Sequence, residues 1–90
     1  MHRTGQRASA ETIALKALAF LAESPDSLGT FMAASGLTSE MLKARAAEPE
    51  FLGAVLDFLL AQEELLVAFC EAESLEPRFV HTARRALSGD

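Results

Sequence analysis

The sequence is short of most of the residues that would tie a chain to a particular chemistry. Among 90 residues there is one cysteine, Cys70, so no disulfide can staple the fold, and no cluster of Cys and His offers a zinc site. Trp and Tyr are absent, and the aromatics are six Phe. β-Branched aliphatics are confined to Ile13, Val55, Val67 and Val80, and no run alternates apolar with polar residues, which argues against a sheet. Charge is short on the basic side. Eight Lys and Arg against thirteen Asp and Glu leave a formal charge of −5, the wrong sign for a chain that binds by neutralising phosphates. The longest apolar run, residues 51–61, already contains Asp57, and a membrane span needs ~20 apolar residues. No glycine-rich phosphate loop occurs.

What is there is helical. Half the chain is hydrophobic and only 23% is charged, which excludes intrinsic disorder. Ala, Leu and Glu, all strong helix formers, dominate it. Arg3 and Arg7 precede the apolar stretch 13–22, but Glu11 and Lys16 break up what would have to be a signal core. Residues 1–8 therefore read as a basic N-terminal tail and 9–90 as a single helical domain. A cytoplasmic setting is expected, and one thiol fits a reducing compartment.

Local punctuation predicts six short helices. The first covers about 9–22, with Ile13, Ala14, Ala17, Leu18 and Leu21 on one face. Ser24-Pro25 ends it and starts a second, with Ser24 as cap and Pro25 at the first helical position. Gly36 is placed to close that helix in the left-handed conformation. Thr38 caps a third, which runs to about 47. Pro49 opens a fourth, 49–61; Glu63 and Glu64 begin a fifth that ends near Ser74; Pro77 lies in the first turn of a sixth. The fold expected is an all-α compact bundle.

Sliding the chain against itself by 38 residues gives seven identities: Leu18, Phe20, Leu21, Leu28, Phe31, Ala34 and Leu37 fall on Leu56, Phe58, Leu59, Leu66, Phe69, Ala72 and Leu75. Helix breaks coincide as well. Two pseudo-repeated three-helix halves, 13–47 and 51–85, are therefore expected.

Three stretches taken together carry a family resemblance: Leu18-Ala19-Phe20-Leu21-Ala22; Leu28, Phe31 and Ser35-Gly36-Leu37; and Ala54-Val55-Leu56-Asp57-Phe58-Leu59. The chain resembles a family of short bacterial proteins known as domain of unknown function 3572, over about residues 11–88. The resemblance implies a helical fold and lends no activity, cofactor or catalytic residue. Where Gly often follows the helix in such repeats, the second half has Ser74.

Three patterns could carry function. Helix four is apolar over most of its circumference, leaving a narrow stripe of Glu50, Gly53, Ala54, Asp57 and Ala61. Such a helix is normally the centre of a core, and here it could also reach a dimer interface, with Gly53 and Ala54 admitting a second helix closely. Asp57 would lie at an exposed edge or beside a partner. Glu64 adds to an acidic surface, because 46–76 holds eight acids and no base. Second, residues 31–45 read as helix, glycine turn, capped helix, the pattern of a DNA reader that would present Ser39, Glu40, Lys43 and Arg45. Third, Arg78, His81 and Arg85 share one face of the last helix, with Arg84 beside them. That helix could bind nucleic acid or an acidic partner, or fold back on the acidic fifth helix.

Catalysis has little to stand on. It would need Asp57, Cys70 and His81 in one pocket, whereas Cys70 among Leu66, Val67 and Phe69 reads as a small core residue. The serines fit caps and turns. The leading expectation is a non-enzymatic protein-interaction module without cofactor or metal. It would bind itself as a homodimer or an unknown protein partner, away from membranes, through helices four and five at Glu50, Gly53, Ala54, Asp57 and Glu64. The alternative is a nucleic-acid-associated regulator using 31–45 or the basic surface Arg78, His81, Arg84 and Arg85.

Overall fold

The computed structural model describes the backbone of residues 2–46 and 48–87, and side chains from Ser9 onward. In order, the helices are α1 (His2–Ala22), α2 (Pro25–Ser35), α3 (Ser39–Arg45), α4 (Pro49–Ala61), α5 (Glu63–Glu73) and α6 (Pro77–Leu87). No strand occurs among the described residues. The fold is an all-α bundle.

Helix ends follow the local chemistry. Ser24 is extended (φ −117°, ψ 112°) and its hydroxyl oxygen accepts from the Ser27 amide at 3.4 Å, while Pro25 fills the first turn, where no N–H is needed. Gly36 takes the left-handed conformation (φ 69°, ψ 23°), and the Leu37 amide reaches back to the Met32 carbonyl at 3.1 Å. Thr38 caps α3, accepting from the Met41 amide at 3.2 Å. The second half closes in the same way without a glycine: Ser74 is left-handed (φ 56°, ψ 42°), and the Leu75 amide bonds the Cys70 carbonyl at 2.9 Å.

One boundary differs from expectation. α1 starts at His2, so residues 2–8 belong to the first helix and do not precede it as a tail. Nothing between Arg3 and Ser9 breaks a helix strongly enough, since Gly5 alone costs about 1 kcal/mol.

α4 is the centre of the core. Phe51, Leu52, Gly53, Val55, Leu56 and Leu59 are all buried. α1 presents a face of small residues, Ala10, Ala14 and Ala17, with Leu21, and so lets α4 and α6 approach closely. α6 packs on both α1 and α4 through Val80, Ala83 and Leu87. Three edge-to-face Phe pairs cross between the halves: Phe20 with Phe69 (centroids 5.6 Å, 66°), Phe31 with Phe51 (5.9 Å, 72°) and Phe31 with Phe58 (5.3 Å, 67°). Full burial of Phe31 and Phe69 contributes roughly 1.5–3 kcal/mol each.

The three-for-three repeat expected between 13–47 and 51–85 is not confirmed. α6 sits against α1 and α4, whereas α3, its counterpart, buries no residue at all. A single helix fills the seat over the α1–α4 pair, and α6 has the apolar stripe to hold it. The Cα trace is only 17 Å thick in its shortest direction, two helix layers, so the outer faces of α5 and α6 stay in solvent.

Candidate functional site

α4 and α6 cross where Gly53 has no side chain. A Cβ there would lie 3.3 Å from Cζ of Arg84, so the guanidinium rests directly on the α4 backbone. From this position Nε of Arg84 donates to Oδ1 of Asp57 at 2.6 Å. That hydrogen bond holds the guanidinium in its charged form, above its ordinary value and against the opposing effect of burial. Asp57 therefore sits at the exposed edge with a partner, its side chain 56% accessible against 32% for Arg84. Gly53, expected to admit a helix from outside, instead admits a side chain from within.

The structure thus joins two sets of residues that the sequence kept apart. Gly53 and Asp57, read as part of one surface, and Arg84, read as part of another, form one seam. Glu50 lies beside it and, with Pro49, Gly53, Arg84 and Leu87, lines an open cleft of about 300 Å³. Glu50 and half-buried Ala54 also border a second cleft of about 230 Å³, walled by Ser35, Leu37, Arg45, Glu48 and Phe51. α6 does touch α5, but its ion pair across the fold goes to Asp57 of α4 rather than to the acids of α5.

Glu64 is elsewhere. It lies on the outward face of α5, beside Glu63, Val67, Ala68 and Glu71, all of them exposed. Val67 is 46% exposed there, one of three large apolar side chains left in solvent among the described residues, with Leu15 and Phe79. Residues 64, 68 and 71 fall on one stripe of a helix, a period written in the sequence itself. None of the ion pairs among the described residues involves Glu63, Glu64 or Glu71.

α6 turns the rest of its charge outward. Arg78, His81 and Arg85 are exposed on the face opposite Val80 and Ala83. Arg78 pairs with Glu76 at 3.2 Å and lies over the Phe79 ring at 5.2 Å. Ser39, Glu40, Lys43 and Arg45 of α3 are all exposed as well.

Asp57, Cys70 and His81 sit in different surroundings. Asp57 is held by Arg84 at the surface, His81 is solvated, and Cys70 is buried at 4% exposure. Burial pushes the Cys70 thiol up, away from the thiolate a nucleophile needs. Among the described residues no group of three His, Cys, Asp or Glu could hold a metal ion. No helix there is long and apolar enough to cross a membrane.

Comparison with known proteins gives a family and no activity. No curated protein and no solved structure matches the chain significantly. A family model described as a protein of unknown function (DUF3572) matches residues 7–90, nearly the whole length, and the chain belongs to that family.

Proposed function

We propose that this chain is a small interaction module that works by binding, without catalysis, and that its contact surface is the outward face of α5. One observation carries the reading: Val67 lies nearly half exposed on the outward face of α5, flanked by Glu63, Glu64 and Glu71. An exposed apolar side chain surrounded by charge is the make-up of a small protein-binding patch, in which the apolar centre supplies affinity and the charges select the partner. The helix beneath is anchored by Leu66, Phe69 and Cys70, so the patch is presented on a rigid element. The seam of Gly53, Asp57 and Arg84 is already closed within the chain, which supports moving the contact surface from α4 to α5. A reducing cytoplasm suits the single buried thiol.

The test compares tagged wild-type protein with a Val67→Lys variant in affinity capture from the native lysate. A protein held in stoichiometric amount by the wild type and lost by the variant supports the reading; identical retained sets overturn it. A second reading, nucleic-acid association through Arg78, His81 and Arg85, rests on the exposed basic face of α6. It requires binding that weakens steeply with salt, in a chain whose net charge opposes it.

A further inference from the structure

Resting on the α5 reading, we propose that the partner of the outward face of α5 is a second copy of this chain, which lays the basic outward face of its α6 against it. α5 carries Glu63, Glu64, Glu71 and Glu73 and no base; α6 carries Arg78, His81, Arg84 and Arg85 and no acid. Among the described residues, none of the ion pairs joins one set to the other. Glu73 goes to Lys16 at 3.4 Å, Arg84 to Asp57, and Arg78 to its sequence neighbour Glu76.

The spacing matches. Glu64 and Glu71 are seven residues apart, as are Arg78 and Arg85, so both pairs span two helical turns, about 10 Å. Val67 lies between the two glutamates, and Phe79, exposed in turn, flanks the basic face of α6 about 100° round the helix from Arg78. Arg85 already holds an interaction within the chain, and the five donors of a guanidinium leave it able to meet a carboxylate as well.

α5 and α6 are consecutive helices that touch, although α6 packs chiefly on α1 and α4, and the exchange is reciprocal: α5 of each copy meets α6 of the other in a two-fold contact. Two 11-residue helices, each about 16 Å long and about 10 Å wide, offer a footprint of roughly 320 Å² per copy. That is well below the ~800 Å² per partner of a standard interface, so the dimer is weak, reversible and sensitive to salt.

Reciprocal charge reversal tests this. Sedimentation velocity over a concentration series is run on the wild type, on Glu64→Lys/Glu71→Lys, on Arg78→Glu/Arg85→Glu, and on an equal mixture of the two variants. The expected result is a wild-type dimer whose dissociation constant rises roughly ten-fold or more between low and high salt. Each variant alone is monomeric, since like charges then face each other, and the mixture forms a one-to-one heterodimer. Circular dichroism checks that the variants fold, and Glu64→Gln/Glu71→Gln, expected to weaken the dimer without repulsion, replaces any that does not. A wild type that stays monomeric throughout, or reversed chains that still self-associate, overturns the proposal. A monomeric wild type whose Val67→Lys form loses a foreign protein overturns it while leaving the interaction reading intact.

Discussion

Replacing Ser74 by glycine should make the protein more stable. Ser74 closes α5 in the left-handed conformation and is the one residue other than glycine with positive φ among those described. For a residue with a Cβ that conformation costs about 1–2 kcal/mol. Its hydroxyl makes no hydrogen bond among the described residues that would offset the cost. Glycine removes the penalty but gives the unfolded chain more freedom, worth roughly 0.5–1 kcal/mol in the other direction. The balance is about 0.5–1 kcal/mol in favour of Ser74→Gly. For a domain of this size that raises Tm by about 2–8 °C, read from far-ultraviolet circular dichroism melts. Ser74→Ala, which keeps the Cβ and loses the hydroxyl, should leave Tm nearly unchanged. If Ser74→Gly melts at or below the wild type, the left-handed cap is not what limits this turn and the reasoning fails.

The mirror experiment is Gly36→Ala, where φ is 69°: it should lower stability by about 1 kcal/mol in the same melts. Gly53→Ala should be close to neutral, because the helix-propensity gain of about 1 kcal/mol is set against displacing Arg84, whereas Gly53→Leu should destabilise clearly in urea titration. Phe31→Ala or Phe69→Ala, at two fully buried rings, should each cost about 3–5 kcal/mol, visible as loss of cooperative melting. Cys70 should react slowly with a thiol reagent in the native state and fast in denaturant. Its folded thiol is pushed above the ordinary value of about 9 by burial, so the unfolded chain loses that proton first. Its contribution to stability is thus complete below that pH and is lost as pH rises toward the folded value, which melts at increasing alkaline pH would show.

The helices were legible because their ends are written locally. Ser24-Pro25, Gly36 with Thr38, Pro49 and Pro77 each fix a boundary through a cap or a missing N–H, and the structure puts helix ends at all of them. The start of α1 was not legible, since no breaker separates residues 2–8 from the remainder of that helix. The apolar breadth of α4 showed that it would be central. What the sequence could not show was which surfaces meet: Asp57 and Arg84 are 27 residues apart, and their pairing depends on how α6 crosses α4 over Gly53. Pattern matching at an offset of 38 also could not reveal that α6 takes the seat over α1 and α4 while α3 stays outside. Both helices carry apolar pairs, Met41-Leu42 and Phe79-Val80, and tertiary packing alone buries Val80.

The claim at the centre of this account is that the outward faces of α5 and α6 are the working surface of the protein. Amide chemical shifts recorded over a series of protein concentrations at low salt test it most directly. Concentration-dependent shifts should cluster at 63–71 and 78–85, and fade as salt is added. Shifts that do not change with concentration, or that gather instead along α3 and the start of α4, would contradict it.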